Sequence, residues 1–257
     1  MSAAAAETPV IEITEAQKKQ YRDEGYFILE RVIPDEHLEM LRDEAAAFIK
    51  RIEDDMDRKG VTVQGINHRG SRYFISLQYK KSQRLHEFIF SPLMAEICKA
   101  TIGPDAYLFW EQYVIKCAEK GKKFQWHQDS GYVGLAHKPY LTCWCALDDM
   151  SVANGTAAIL PYSRAGSKDV VPHKHDPELN DLVGYFGTDP GIDVLVPAGS
   201  IAVFSSTTFH RSGTNTTNKM RRVYLPQYSC EPIYDAQGKP KGLVDQFLKD
   251  GKIVYKH

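Results

Sequence analysis

The spacing of apolar positions changes near residue 105, from a helical period to short, punctuated runs. Before that point, Thr14-Glu-Ala-Gln17 has the form of a capping box and predicts a short helix to about Asp23. Gly25-Tyr-Phe-Ile-Leu29, rich in aromatic and β-branched residues, predicts a strand. Pro34-Asp35 opens a longer helix. Its apolar positions Leu38, Met40, Leu41, Ala45, Phe48, Ile49 and Ile52 form one stripe that must pack on a core. Residues 53–60 read as its charged exit, and 61–82 are mixed in polarity with a short strand at 72–77. A third helix is expected from about Leu85 to Thr101, ending at Gly103-Pro104.

Beyond residue 105 the pattern predicts strands at 107–116, 124–127, 141–147, 156–160, 193–196, 201–204 and 221–228. Turn-forming clusters separate them, among them Ala153-Asn-Gly155, Pro197-Ala-Gly199 and residues 212–218. Helices followed by many short strands predict a β-rich α+β fold, with a sandwich or barrel flanked by N-terminal helices. The expected organisation is a loose arm over 1–13 and a single domain over 14–257. Within it, a helical part spans about 14–105, a β core about 106–230 and a C-terminal extension 231–257.

Composition narrows the function classes. A formal net charge of −1 gives no electrostatic reason for a nucleic-acid partner. There is no apolar run of about 18 residues to span a membrane, and the first residues lack the basic and apolar regions of a secretory leader. Five scattered cysteines predict reduced thiols and a cytoplasmic setting.

The candidate chemistry begins at Trp126-His127-Gln-Asp129. Residues two apart on an extended chain share a face, so His127 and Asp129 present an imidazole and a carboxylate to one point. These are two legs of a two-histidine, one-carboxylate metal site, which leaves positions open on a non-haem Fe(II). His210, after the apolar run Ile201-Ala-Val-Phe204, is the candidate third leg. The polar turn over 212–218 then returns the chain as Arg221-Arg-Val-Tyr-Leu225, expected as the neighbouring strand with Arg221, Val223 and Leu225 on one face. An inward Arg221 would place a fork-shaped cation in an apolar interior, suited to a carboxylate. A chelated keto-diacid held at its far end by an arginine describes 2-oxoglutarate. From the residues alone, a surface His-x-Asp pair, a core His210 and a solvated Arg221 at the rim remain open.

Longer stretches resemble the phytanoyl-CoA dioxygenase family of double-stranded β-helix oxygenases, which also contains ectoine hydroxylase. The matching pieces are residues 17–29, Trp126-His127-Gln-Asp129, Trp144-Cys-Ala-Leu147, residues 153–163, Pro197-Ala-Gly199, and His210-x-Ser212-x-x-Asn215 through Arg221. The resemblance covers about 14–230. It implies a double-stranded β-helix (jelly-roll, cupin-like) core, with Fe(II) on His127, Asp129 and His210. It implies 2-oxoglutarate at Arg221, with Ser212 and Trp144 nearby. The implied reaction consumes O2 and 2-oxoglutarate, hydroxylates a C–H bond of a small molecule, and releases succinate and CO2. The carboxylate of Asp129 argues against halogenation. Gly199-Ser200 departs from the family's common Gly-Asp. Residues 61–81 match poorly and leave Arg72 and Tyr73 only as possible contacts.

Tyr132, Tyr140, Cys143 and Cys145 are candidate pocket residues, although core packing suits them as well. Residues 163–190 read as a long loop over the mouth. Within it, His173-x-His175 repeats a ligand spacing in solvated surroundings. The expected partner is a small-molecule substrate, with the protein a monomer or homodimer. Two alternatives stand beside the dioxygenase: a metal-dependent hydrolase on the same barrel, and a non-catalytic 2-oxoglutarate-binding module. An inward Arg221 speaks against the first, since a hydrolase needs no buried guanidinium.

Overall fold

The computed structural model describes residues 11–119, 122–177 and 181–255. In chain order, α1 (Glu15–Glu24), β1 (Tyr26–Leu29) and α2 (Asp35–Lys59) precede β2 (Val63–Gln64), β3 (Asn67–His68) and β4 (Arg72–Ser76). Helices α3 (Gln83–Ile89) and α4 (Pro92–Thr101) lead into β5 (Ala106–Lys116), β6 (Phe124–His127), β7 (Leu141–Ala146) and β8 (Ala157–Leu160). The short α5 (Tyr162–Ala165) and a hairpin of β9 (Lys174–Asp176) and β10 (Asp181–Val183) follow. The chain ends through β11 (Ile192–Asp193), β12 (Ile201–Ser205), β13 (Phe209–Ser212), β14 (Arg221–Ser229), β15 (Asp245–Lys249) and β16 (Lys252–Ile253).

The larger antiparallel sheet runs β1-β12-β7-β14-β5-β4-β3-β2, and β15 pairs with β5 beside it. The smaller sheet runs β11-β8-β13-β6 and faces it. Together they form the expected double-stranded β-helix core.

Side-chain alternation along the larger sheet divides the apolar interior in two. Cys143, Cys145, Tyr113, Ile115, Tyr224 and Tyr228 point outward and bury the apolar stripe of α2 (Leu41, Phe48) together with Phe88 and Ile97. Trp144, Ala146, Val223 and Leu225 point inward and meet Ala157 and Ile159 of the smaller sheet. Cys143 and Cys145 therefore pack under the helices and do not line the pocket.

Local chemistry accounts for most boundaries. The Thr14 hydroxyl accepts from the Gln17 N–H at 3.2 Å while the Gln17 side chain accepts from the Thr14 N–H at 2.9 Å, so the capping box forms as expected. Three differences stand out. The segment 53–59, expected as a charged exit, stays in α2, because Met56 is fully buried and Lys50–Asp54 and Lys59–Asp55 pair along the exposed side. The expected third helix is two helices. Ser91 caps α4 and Pro92 opens it, and a proline there cannot continue the hydrogen-bond ladder of α3. In the extension after 230, Phe247 and Leu248 of β15 are fully buried, which adds a strand to the larger sheet. Of the expected loose arm, residues 1–10 lie outside the described residues, and Ile13 packs into the helix-side core.

Candidate metal and anion site

His127 ends β6 and His210 lies on β13, at directly opposing positions of the antiparallel pair. Each ring directs Nδ1 at the carbonyl two residues earlier, Gln125 at 2.7 Å and Thr208 at 3.1 Å. That partner fixes the proton on Nδ1 and leaves both Nε2 atoms as bare acceptors. Burial, and after it the neighbouring His210, push the His127 imidazole down to about 4, so it is neutral and able to ligate near neutral pH. Asp129 comes to the same point. Its Oδ1 lies 3.6 Å from His210 Nε2 and 4.0 Å from His127 Nε2, and the three donor atoms fall within 4.8 Å of one another. Two imidazole nitrogens and one carboxylate oxygen on one side of a point suit a facial metal site.

The ladder of β6 stops at His127, and Asp129 begins a 3-10 turn. Gln128 nonetheless remains extended, at φ −111° and ψ 137°, so the two-residue alternation that aligns His127 with Asp129 survives. Gln128 itself points away from the metal point and is fully buried. Its amide donates to the carbonyls of Asp169 (2.9 Å) and Thr207 (2.6 Å) and accepts from the Val171 N–H (2.9 Å). Its own N–H donates to His173 Nε2 at 3.0 Å, while His173 Nδ1 bonds the Val171 carbonyl. His173 is therefore a buttress behind the ligand strand, and His175 lies exposed.

Arg221 enters from the facing sheet. The strand β14 pairs with β5 and β7, not with β13, so Arg221 faces His210 across the sandwich and is not on a neighbouring strand. The predicted inward face of Arg221, Val223 and Leu225 is observed. Arg221 is only 1% exposed. One terminal nitrogen donates to the Gly155 carbonyl at 2.7 Å, Nε has no hydrogen-bond partner among the described residues, and the guanidinium lies 5.9 Å from the Trp144 ring. Burial pushes it down to about 10. Gly155 is at φ +73°, and a Cβ there would stand 2.4 Å from the Gly213 carbonyl, so the Ala-Asn-Gly turn that supplies this contact requires glycine.

Lys116, absent from the sequence-derived candidates, is directly opposite Arg221 in the β5–β14 register and fully buried. Its Nζ bonds the Ser212 hydroxyl at 2.8 Å and the Gly213 carbonyl. Burial, then Arg221 and Arg72, push it down to about 5. The alternation of β5 held the signal, because Gln112 and Val114, four and two residues before it, face the same interior. A cavity of about 80 Å³ joins the metal point to Arg221 and is lined by His127, Asp129, His210, Trp144, Ser212 and Arg221, together with Phe74, Gln112 and Phe124. An orphaned buried guanidinium beside this donor set fits an anion that chelates a metal.

Among the remaining candidates, Tyr132 sets its ring edge-on to His127, with centroids 5.6 Å apart, and donates its hydroxyl to Asp181 of β10 at 2.6 Å. Tyr140 packs instead with Phe109, Val133 and Ile233, and the Tyr73 hydroxyl bonds Glu53 on the helix side. The Arg72 guanidinium stands 5.8 Å from the ring of Phe74, which lines the cavity.

Known proteins share this fold. The family model for phytanoyl-CoA dioxygenase (PhyH) matches residues 21–223. Human peroxisomal phytanoyl-CoA dioxygenase is 22% identical over 82% of this chain and 67% of its own length. Ectoine dioxygenase of Bordetella parapertussis is 25% identical over 88% of this chain and 80% of its own. The solved structure of EvdO2 from Micromonospora carbonacea var. aurantiaca, complexed with 2-oxoglutarate, matches with a TM-score of 0.66 at 23% identity, covering 92% of this chain and 98% of that one. On the extent of the family match, the chain belongs to the phytanoyl-CoA dioxygenase family.

Proposed function

We propose that this protein is a non-haem Fe(II)- and 2-oxoglutarate-dependent dioxygenase that hydroxylates a C–H bond of a small molecule. The observation that carries the reading is Arg221, a guanidinium buried without a carboxylate partner and facing a two-histidine, one-carboxylate donor set. A buried unpaired cation is costly, and a carboxylate ligand removes that cost. His127, Asp129 and His210 would hold the iron. When bound, iron supplies open positions for the keto acid and dioxygen and the oxidising power to cleave the C–H bond, as 2-oxoglutarate leaves as succinate and CO2.

The chain's own groups then bind and orient. Arg221 receives the far carboxylate, with Ser212 beside it and Lys116 one hydrogen bond behind. Trp144 walls that end and keeps water from it. Phe74, Gln112 and Phe124 line the same cavity and Tyr132 stands against His127, where they would meet a substrate. The relatives are named for substrates as different as phytanoyl-CoA and ectoine, so no substrate passes to this chain by name.

One oxygenase domain over 14–257 suffices in this reading. The site is complete within one chain, so a monomer and a homodimer serve equally. Among the described residues no helix is long and apolar enough to cross a membrane. The free cysteines support a reducing, cytoplasmic setting.

Anaerobic titration with Fe(II) and then 2-oxoglutarate tests the reading. A weak visible charge-transfer band should appear in the wild type and vanish in Asp129→Ala. Iron binding without such a band at any 2-oxoglutarate concentration would overturn it.

A further inference from the structure

Asp129 has two carboxylate oxygens, and the structure treats them differently. Oδ1 faces the two histidine Nε2 atoms. Oδ2 accepts from the Thr142 hydroxyl at 2.7 Å and from the Gln227 side-chain amide at 2.9 Å, and that amide also reaches the Thr142 oxygen at 3.0 Å. The triangle is chemically consistent. Thr142 gives its one proton to Asp129, and an N–H of the Gln227 amide is shared between Asp129 Oδ2 and the Thr142 oxygen.

Both donors belong to the larger sheet, whereas Asp129 follows the last strand of the smaller one. Thr142 on β7 and Gln227 on β14 are directly paired in register. Thr142 is fully buried and Gln227 is 5% exposed. Their spacing is set by the ladder between two interior strands, which makes the pair a rigid fork. Swinging Oδ2 toward a metal would break both bonds and take the Asp129 acceptor from a buried hydroxyl and a buried amide.

We propose that Thr142 and Gln227 are positioning residues that force Asp129 to ligate the metal through Oδ1 alone. The inference rests on the proposed dioxygenase reading and adds to it the device that keeps the metal open. A facial site must leave three positions for the keto acid and dioxygen, and a carboxylate binding through both oxygens would occupy one of them. Two hydrogen bonds on Oδ2 also draw electron density from the carboxylate, which tunes the ligand as outer partners of metal sites do.

Co(II), a spectroscopic stand-in for iron, tests this without turnover. Wild type, Gln227→Leu, Thr142→Val and Thr142→Ser are titrated with Co(II) under argon, with melting curves of the apo-proteins recorded in parallel. Thr142→Val and Gln227→Leu should bind Co(II) about 10–100-fold more weakly and show an altered visible d–d spectrum, whereas Thr142→Ser keeps the wild-type affinity and spectrum. The Val and Ser variants alone decide the matter if Gln227→Leu does not fold. Wild-type binding matched by Thr142→Val in affinity and spectrum overturns the clamp and leaves the dioxygenase reading standing. Absence of Co(II) binding by the wild type removes both.

Discussion

His127 and His210 occupy one rung of the β6–β13 pair, with ring centroids 4.2 Å apart. Direct cross-strand neighbours are the closest side-chain pairs a sheet offers. The two nitrogen ligands are thus placed by backbone pairing, and only the carboxylate depends on the turn that follows.

Because backbone pairing carries the geometry, truncating a ligand should spare the fold. His127→Ala is expected to cost about 1 kcal/mol of apo stability, and Asp129→Ala about 2 kcal/mol because Thr142 and Gln227 lose their acceptor, while both abolish the 2-oxoglutarate charge-transfer band. Thermal melts alongside the anaerobic titration check both halves.

Arg221→Met should separate binding from stability in opposite directions. Removing a bidentate charged partner typically costs about 2–5 kcal/mol, so 2-oxoglutarate affinity should fall by at least tenfold and up to a thousandfold or more. The apo-protein should melt at the same or a higher temperature, since an unpaired buried charge has been removed. Calorimetry of binding and of melting gives the two readings. Arg221→Lys, with the charge but not the fork, should bind between the two.

Lys116 makes co-substrate binding sensitive to pH. The groups around it are Arg221 on β14 and Arg72 on β4, both cationic, with the Ser212 hydroxyl and the Gly213 carbonyl as its polar contacts. Held at about 5, the amine is neutral at neutral pH. A bound dianion favours its protonated form, so binding should take up a proton and weaken as pH rises from 6 to 8. The sign for folding follows the same shift. A lysine depressed from its usual value near 10.5 destabilises the fold below that value, increasingly so down to about 5. Calorimetric titration in two buffers of different ionisation enthalpy measures the uptake, and Lys116→Met should abolish it.

Gln128→Leu should be among the more damaging changes in the chain, although Gln128 touches neither metal point nor anion. It leaves the Asp169 and Thr207 carbonyls and the Val171 N–H without their partner. Each unsatisfied buried group costs roughly 1–3 kcal/mol, so a loss of about 3 kcal/mol or more is expected in chemical denaturation.

What the sequence disclosed follows from how local each signal is. His127 and Asp129 are two residues apart and Arg221 stands in an alternating strand, so period alone placed them on defined faces. The opposition of His127 to His210, and of Thr142 to Gln227, depends on pairing between distant strands, which no local pattern encodes. For that reason β14 was expected beside β13 when it lies across from it. A lysine ending a strand ordinarily reaches solvent, and only closure of the sandwich buries Lys116. The split between α3 and α4 is carried by Ser91-Pro92, with apolar residues on both sides.

The division of the site between two sheets has a consequence for the lifetime of the protein. A keto acid chelated on the His127 side and gripped by Arg221 on the other becomes a further cross-tie between the two layers, beside the hydrogen bonds of Asp129 to Thr142 and Gln227 and of Lys116 to Ser212. Opening the sandwich then requires releasing the ligand, and the folded state gains about 2.7 kcal/mol when the free ligand stands at a hundred times its dissociation constant. Resistance to proteolysis should then rise with the concentration of 2-oxoglutarate.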